Sequence, residues 1–438
     1  MANQKATLDK IVSLCKRRGF VYQSADIYGG INGIYDFGHL GVLLKNNIRS
    51  LWISSLSDAP GSIIFLEGAL IGPHAVWKAS GHVEHFTDPM IDCRECKHRF
   101  REDEIDTEKG CPHCGKKNWG DVKQFNMMFQ TYVGATQEQA SLAYLRPETA
   151  QSIFVNFKNI ISSNRVKLPF GIAQIGKAFR NEITPKQFLF RMREFEQMEL
   201  EWFCKEKNAK KFFAFWTDNR FAFYLMLGIN KDNLRLREHK SDELAHYSSC
   251  CSDVEYDFPF GWKELEGIAH RGNYDLSQHI KHSGKDLSIY DEETKESIIP
   301  DVIECSVGVD RLFLTILFDA YDEDTIEGEK RIVLKLSPQL APVKAAFLPL
   351  TKKQSKSMFD IYESIKCKGF MVEFDESGSI GKRYRRNDEI GTPYCFTYDF
   401  ESDVDKKVTV RDRDTTKQER IAIDHIEEYL QKRLSKKK

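Results

Sequence analysis

Residues 174–203 read QIGKAFRNEITPKQFLFRMREFEQMELEWF and contain the clearest pair of strand patterns in the chain. Apolar and polar residues alternate through the second half of this stretch, and a Thr-Pro-Lys-Gln segment (184–187) precedes that half. Period-two alternation predicts a half-buried strand, and Pro in a short connection predicts a turn. We therefore predict an antiparallel pair of strands, over about 174–183 and 189–203.

The two faces of the second predicted strand differ in chemistry. One carries Phe190, Met192, Met198, Leu200 and Trp202, and the other carries Arg191, Arg193, Phe195, Gln197, Glu199 and Glu201. The apolar set predicts a face packed on the core. The charged set has two interpretations: a solvated face with one exposed Phe, or the floor of a cleft that binds a flat, charged ligand. The spacing alone does not decide between them.

Patterns on either side of this pair predict the remaining elements. Helical periodicity indicates helices over 8–18 and 40–52, a helical insertion within 203–250, and a helix that begins near Val309 after a strand at 302–305. Residues 322–329 are rich in acidic side chains and are interpreted as a linker. From residue 331 onward strands and helices alternate, which predicts a compact α/β domain of about 100 residues.

Four of the eleven cysteines have the spacing of a metal site: Cys93-x-x-Cys96 and Cys111-x-x-Cys114. Two residues between thiolates allow one tight turn to aim both sulfurs at one ion. The alternatives are a redox dithiol or coincidence. A site made of four thiolates has no open coordination position, so the sequence predicts a structural Zn²⁺ in an insertion over 90–120.

Composition sets outer limits on the class of protein. The chain has 438 residues, 41% of them hydrophobic, with 64 Lys and Arg against 65 Asp and Glu. These values predict a globular chain of two or three domains rather than a disordered or membrane-spanning one. The scattered cysteines and the absence of an apolar N-terminal segment favour a cytoplasmic protein.

The formal net charge of −1 is the sum of a negative charge on the first part of the chain and a positive charge on the last part. Residues 331–438 contain 23 basic and 17 acidic residues, a charge of +6, whereas residues 1–330 carry −7. Such asymmetry favours a polyanionic partner for the C-terminal part of the chain.

Three motifs in order resemble those of class II aminoacyl-tRNA synthetases. The helix at 40–52 with the strand ending at Pro73 is similar to motif 1. Phe179-Arg-Asn-Glu182 with Arg191-Met-Arg-Glu-Phe195 is similar to motif 2, and Gly308-Val-Asp-Arg311 to motif 3. Within the class, the segments at 145–151, 193–199, 262–267 and 304–308 resemble the dimeric, α2-type glycyl-tRNA synthetases.

The resemblance implies an α+β fold. A catalytic domain over 1–330 would contain a class II antiparallel sheet, with a zinc-ribbon insertion at 90–120 and a helical insertion at 203–250. An α/β anticodon-binding domain would follow over 331–438. The implied partners are tRNA(Gly), ATP, glycine and a second copy of the chain in a homodimer, with no membrane.

The resemblance also implies an ATP site, in which arginines suit phosphate because they are planar, permanently charged forks. Arg180 would hold the α-phosphate, and Arg191 and Arg311 the γ-phosphate; Arg180 and Arg311 are the expected catalytic residues. Phe195 would stack on adenine, and Glu264 is a candidate ligand of the Mg²⁺ that accompanies ATP. The expected ATP-binding set is Arg180, Asn181, Glu182, Phe190, Arg191, Met192, Arg193, Glu194, Phe195, Glu264, Leu265, Gly308, Val309, Asp310 and Arg311.

Glycine has no side chain to hold, so its ammonium and carboxylate must be bound and larger amino acids excluded by size. Carboxylates such as Glu148 and Glu304 would bind the ammonium, and Arg101 would lie near the carboxylate. The expected glycine-binding set is Arg101, Glu148, Phe195, Glu196, Gln197, Met198, Glu199, Glu304, Cys305, Ser306, Val307 and Gly308. The metal set is Cys93, Cys96, Cys111 and Cys114.

Two other functions are compatible with these patterns: a non-catalytic tRNA- or DNA-binding relative, and a class II synthetase for another amino acid. In the C-terminal domain the basic segments at 382–386 and 410–414, with Tyr384 and Phe396, predict phosphate contacts and base stacking.

Overall fold

The computed structural model describes residues 6–435 except 136–137, 139–140, 241–248 and 327. Its α-helices in chain order are α1 (Leu8–Arg18), α2 (His39–Ser55), α3 (His74–Ala79), α4 (His82–His85), α5 (Ala150–Val155), α6 (Phe157–Asn164), α7 (Ala209–Met226), α8 (Tyr274–Ser283), α9 (Val309–Ala320), α10 (Ser355–Lys366), α11 (Ile380–Ile390), α12 (Ser402–Asp405) and α13 (Ile426–Leu434).

The strands in chain order are β1 (Val21–Gln23), β2 (Tyr35–Phe37), β3 (Ser62–Phe65), β4 (Ile71–Pro73), β5 (Thr87–Asp92), β6 (Arg99–Arg101), β7 (Lys123–Asn126), β8 (Gln130–Tyr132), β9 (Leu142–Leu145), β10 (Phe170–Phe179), β11 (Glu194–Cys204), β12 (Leu234–Glu238), β13 (Cys250–Phe258), β14 (Gly261–Gly272), β15 (Ile289–Asp291), β16 (Glu296–Ile298), β17 (Asp301–Gly308), β18 (Tyr321–Ile326), β19 (Glu329–Leu334), β20 (Ala345–Pro349), β21 (Val372–Phe374), β22 (Tyr394–Tyr398), β23 (Lys407–Asp412) and β24 (Gln418–Ala422).

The largest sheet has seven strands in the order β12-β13-β14-β17-β11-β10-β3. All neighbouring pairs are antiparallel except β3 with β10. On β11 the alternation places Met198, Leu200 and Trp202 in a core that also contains apolar residues of α2, α7 and α9. The opposite face of β11 is polar and is also buried, so it lies under other parts of the chain. The antiparallel sheet predicted from residues 174–203 is therefore confirmed.

The two strands of this pair stop farther from the connecting turn than predicted. The first strand ends at Phe179, and the second begins at Glu194 rather than at residue 189. Residues Phe188–Phe190 form a short 3-10 turn instead. Gln187 and Phe188 have φ angles of 58° and 57°, which turn the chain and are incompatible with an extended strand. The loop that carries Arg191 is thereby lifted out of the sheet.

Two further predictions need correction. The insertion predicted as helical at 203–250 contains α7 but also the edge strand β12, because Leu234-Arg-Leu-Arg-Glu238 alternates with a period of two. Residues 241–248 of that insertion lie outside the described part of the chain. The predicted linker 322–329 is instead largely a hairpin, β18 with β19, in which Asp324 accepts a hydrogen bond from Arg331 at 2.7 Å. Opposite charges paired across strands stabilise such a hairpin.

The C-terminal part has its own five-stranded sheet, in the order β21-β20-β22-β23-β24. β20 is parallel to both β21 and β22, while β23 and β24 are antiparallel, and α10 and α13 contribute apolar residues to the core on this sheet. The predicted α/β architecture is confirmed. The proposed boundary at 330/331 falls within β19, and it stays a prediction.

Phe396 does not have the predicted role in base stacking. It is fully buried, with its ring stacked on Phe347 at a centroid distance of 5.2 Å. Arg383, Arg411 and Arg413 are buried as well, and Arg411 pairs with Asp388 at 2.8 Å. These three arginines hold the domain together, and its exposed positive charge includes Lys382, Lys407 and Arg433.

Candidate active site

A cavity of about 480 Å³ lies on the polar face of the seven-stranded sheet. Its lining includes fourteen of the residues that the sequence predicted for ATP or glycine: Arg101, Arg180, Glu182, Phe190, Arg191, Met192, Phe195, Gln197, Glu264, Glu304, Ser306, Gly308, Asp310 and Arg311. They come from the four strands β6, β11, β14 and β17, from the loop before β11 and from α9. The charged face of β11 is thus the floor of a cleft rather than a solvated surface.

Three arginines line this cavity, and we call this group the arginine end. Arg191 Nη1 donates to Glu104 Oε1 at 2.7 Å, and Arg311 Nη1 donates to Glu264 Oε1 at 3.1 Å. Arg180 Nε donates to the carbonyl oxygen of Pro147 at 3.2 Å. Guanidinium groups gathered at one cavity repel one another, so an anion of several charges would be bound strongly there.

Aromatic rings accompany these arginines. The guanidinium of Arg180 lies 5.3 Å from the ring centroid of Phe195, and that of Arg311 lies 4.5 Å from the ring centroid of Phe190. A ring beside a fixed cation offers a stacking surface for a flat heterocycle next to a phosphate site. This end of the cavity has the chemistry of a nucleotide site.

A second charged group at this cavity, which we call the carboxylate end, consists of Glu304 in the lining and of Glu199 next to it. Glu199 Oε1 accepts from Ser306 Oγ at 2.8 Å and from Gln197 Nε2 at 3.0 Å, and its Oε2 accepts from the backbone N–H of Thr149 at 3.0 Å. Glu304 Oε1 accepts from Arg271 at 3.0 Å. A small cation fits here, because negative charge is concentrated and held rigidly.

Burial shifts the acidity of this cluster. It raises the pKa of Glu304 to about 7 and also raises the pKa of Glu199, with neighbouring carboxylates adding to the effect on both. Burial, reinforced by Glu304, raises the pKa of Glu201 well above its usual value, and neither Glu201 carboxylate oxygen has a hydrogen-bond partner among the described residues. Although burial alone would raise it, His82 and Arg271 hold the pKa of Glu148 below its ordinary range.

The remaining predicted residues do not line the cavity. Met198, Leu265, Cys305 and Val307 belong to the hydrophobic core, because neighbouring positions on a strand point to opposite faces. Val309, the first residue of α9, belongs to the same core. Glu196 lies on the core side with them and pairs with Lys45 at 2.9 Å. Glu148 and Glu199 support the carboxylate cluster from outside the lining. Asn181, Arg193 and Glu194 flank the arginine loop, where Arg193 donates to the carbonyl of Glu182.

The sequence interpretation missed several polar residues of this region. Arg271 forms a bidentate pair with Asp275, at 2.8 and 2.9 Å, beneath the carboxylates. His239, Cys251 and Asp253 line the cavity near Glu264. One signal was available for Arg271, since a cluster of buried carboxylates requires a buried cation.

The four predicted metal-ligating cysteines converge at one point. The Sγ atoms of Cys93 and Cys114 are 3.6 Å apart, as are those of Cys96 and Cys111, and all four lie within 4.8 Å of one another. A tetrahedron with Zn–S bonds of ~2.3 Å has edges of about 3.8 Å, so the thiols fit a zinc ion. The strands β5, β6 and β7 carry this cluster, and the short turn after β6 places Glu104 against Arg191.

Among the described residues, no helix is long and apolar enough to cross a membrane. All eleven cysteines lie in the described part of the chain and are free thiols.

Comparisons with known proteins agree with this geometry. Residues 131–336 match the family model of the tRNA synthetase class II core domain (G, H, P, S and T), and residues 344–433 match that of the anticodon binding domain. The chain is 50% identical to the glycine–tRNA ligase of Caldanaerobacter subterraneus subsp. tengcongensis, and the alignment covers 98% of this chain and 99% of the relative. The glycine–tRNA ligases of Clostridium acetobutylicum and Clostridium beijerinckii are each 51% identical to it, with the same coverage.

Proposed function

The chain belongs to the glycine–tRNA ligase family of class II aminoacyl-tRNA synthetases and attaches glycine to tRNA(Gly), and on this premise we propose how its residues divide the reaction. The reaction has two steps: ATP and glycine form glycyl-adenylate, and the 3′-terminal ribose of the tRNA then attacks the glycyl carbonyl. The comparisons give no support to a non-catalytic relative.

One observation carries the assignment of residues: the three arginines line the same cavity as Glu304 and as Ser306, which donates to the buried Glu199. We assign the arginine end to the triphosphate and the carboxylate end to the glycine ammonium. The glycine carboxylate would then lie between them, where it can attack the α-phosphorus.

At the arginine end the residues act by electrostatics and position. Negative charge moves onto the pyrophosphate as the glycine carboxylate attacks, and Arg180 and Arg311 would stabilise that charge without forming a covalent bond. Phe195 would support the adenine ring. Mg²⁺ would neutralise phosphate charge, and Glu264, about half exposed beside Arg311, is an oxygen donor of the kind that Mg²⁺ prefers.

At the carboxylate end Glu304 and Ser306 would contact the ammonium, while Glu199 holds Ser306 in place. Larger amino acids would be excluded by clash with this rigid floor. Steric rejection of a larger substrate is not subject to the limit of ~1–3 kcal/mol that applies to a missing methylene, so editing is not needed.

We further propose that Cys93, Cys96, Cys111 and Cys114 hold a structural Zn²⁺. The tetrahedral spacing of their sulfurs supports this assignment. Metal analysis of the purified protein tests it, because less than about half an equivalent of zinc per chain would contradict it.

The C-terminal domain, proposed over 331–438, would contact the anticodon of tRNA(Gly), which the match to an anticodon binding domain supports. Residues 1–330 would form the catalytic domain. The lysine-rich end at 436–438 lies outside the described residues.

A homodimer and a cytoplasmic location are part of the same proposal. Apolar residues are exposed along α2, on the edge strand β3 and on β4, including Val42, Ile53, Phe65 and Ile71. A second copy of the chain would cover such a surface. Eleven free thiols are typical of a reducing compartment.

Amino-acid-dependent pyrophosphate exchange tests the assignment directly. Exchange is expected with glycine and to fall by roughly a hundredfold or more in Arg180→Ala, whereas Arg433→Ala, on α13 and half exposed, keeps the wild-type rate. Exchange with no amino acid would favour a binding protein, and exchange with serine or threonine would favour another synthetase.

A further inference from the structure

A second group of potential metal ligands lies in the wall of the cavity, apart from the four-cysteine cluster. His239 directly follows β12, and Cys251 and Asp253 occupy alternate positions on the neighbouring strand β13. Residues two apart on a strand point to the same face. One ligand atom from each of the three lies within 4.8 Å of the others.

The three side chains already contact one another or share neighbours. His239 Nε2 and Asp253 Oδ2 are 2.7 Å apart, and Asp253 is 5% exposed. Arg237 Nη1 is 3.8 Å from the same oxygen, and Glu264 adds a second carboxylate nearby. A buried carboxylate held against an imidazole orients both groups toward a common point.

We propose that His239, Cys251 and Asp253 form a binding site for a zinc-like divalent cation in the cavity wall. The donor set of nitrogen, sulfur and oxygen suits Zn²⁺, whereas Mg²⁺ and Ca²⁺ prefer oxygen ligands alone. Zinc ligands lie about 2.0–2.3 Å from the ion, and small side-chain movements within the cluster bring the three donors to that distance.

Three protein ligands leave a fourth position that faces the cavity, where water or a substrate oxygen completes a tetrahedron. This site therefore differs from the four-thiolate cluster, which has no open position. A divalent cation bound there neutralises the negative charge of Asp253 and Glu264 in the cavity wall, which also carries Arg311. If the triphosphate binds there, as the proposed function requires, the ion tightens ATP binding.

Zinc stoichiometry tests the site. The full-length protein is dialysed against a metal buffer that sets free Zn²⁺, and bound zinc is measured in wild type, in Cys251→Ser and in His239→Gln. Each variant is expected to bind one equivalent fewer than wild type, or to bind the last equivalent roughly tenfold more weakly or worse. Cys367→Ser, which removes an exposed thiol on another domain, is expected to match wild type.

The same preparations separate this proposal from the proposed function. The metal site is overturned if wild type, Cys251→Ser and His239→Gln contain equal amounts of zinc. Two variants are used so that the test remains valid if one of them misfolds. With Mg²⁺ in excess over ATP, zinc is expected to tighten ATP binding about fivefold or more in wild type but not in the variants. A variant-sensitive zinc equivalent without any effect on ATP upholds the metal site and overturns the placement of the triphosphate beside it.

Discussion

The two ends of the cavity hold their charges in different ways. At the arginine end Arg191 and Arg311 are each 27% exposed, and their carboxylate partners Glu104 and Glu264 come from loops or strands at the rim. At the carboxylate end Arg271 and Asp275 are almost fully buried and make a bidentate pair. The arginine end can therefore exchange partners, while the carboxylate end is fixed before any ligand arrives.

The physical reason is the environment of each pair. An exposed ion pair contributes little to stability because water and salt screen it, so a phosphate can replace Glu104 or Glu264 at low cost. A buried pair cannot be separated without leaving an uncompensated charge. We expect substitutions at the carboxylate end to affect folding and glycine selection, and substitutions at the arginine end to affect ATP alone.

The largest expected effect is that of Arg271→Met. It leaves Asp275 and Glu304 buried without their cation, and losing one partner of a buried pair destabilises a protein by about 3–5 kcal/mol. The urea midpoint of the transition that reports on the catalytic domain should fall accordingly. Lys167→Met removes an exposed pair with Glu292 and should leave the urea midpoint nearly unchanged, because water and salt screen such a pair. Equal midpoints for the two variants would show that the carboxylate end is not held by Arg271.

The second-largest expected effect is that of Glu304→Gln on the KM for glycine. Losing a hydrogen bond to a charged group should raise the KM for glycine in pyrophosphate exchange by about tenfold to a hundredfold. The KM for ATP should change by less than about twofold, because the triphosphate is assigned to the other end. The control is Glu296→Gln, on the exposed strand β16. An unchanged KM for glycine would refute the role of Glu304.

The raised pKa of Glu304 predicts a dependence on pH. The pKa of Glu304 is raised to about 7, so at a lower pH its carboxyl group is mostly protonated and does not attract an ammonium. Glycine affinity should therefore rise as the pH rises through 7, by up to about tenfold per unit, and Glu304→Gln should remove this dependence. ATP affinity should not follow the same curve, and if it does, the two ends are not independent.

The raised pKa of Glu304 also makes the stability of the folded state depend on pH. The folded state retains a proton on Glu304 that the unfolded state releases near its ordinary pKa of 4.5. Stability contributed by this group is thus present below 4.5 and is lost as the pH rises from about 4.5 to about 7.

The smallest expected effect is that of Glu104→Gln. Glu104 pairs with Arg191 and with Lys186, both at 2.7 Å, and would compete with a phosphate for them. An exposed pair contributes ~0.2–1 kcal/mol, so the KM for ATP should fall by about two- to fivefold. Glu102→Gln, in the same short turn, is the control. A rise in the KM for ATP would mean that Glu104 positions Arg191 instead of competing for it.

Much of the fold could be predicted from local patterns. Helix α1 has the predicted bounds, and α9 begins at Val309 as expected, since apolar residues at helical spacing follow the Gly-x-x-Arg motif. The strand alternation placed Phe195 and Gln197 on one face, and both line the cavity, whereas Arg191 reaches it from the loop before β11. The same alternation could have removed Glu196, Met198 and Cys305 from the expected glycine set.

Contacts between distant segments could not be predicted in this way. Glu104 meets Arg191 across 87 positions, and Arg271 meets Glu304 across 33. Phe396 shows the reverse case, in which an aromatic among basic residues suggested stacking but the sheet buries it. Composition and spacing describe which side chains are near in the chain, not which ones share a cavity.

The class of fold, the four cysteines that converge and the arginines that line the cavity could be predicted from the sequence, because these follow from spacing within short segments. Which charges are buried and which can exchange partners depends instead on the tertiary structure. Burial depends on what the opposite strand, helix or insertion brings against a side chain. That packing raises the pKa of Glu304 and pairs this residue with Arg271. It also brings His239 close to Cys251 and Asp253.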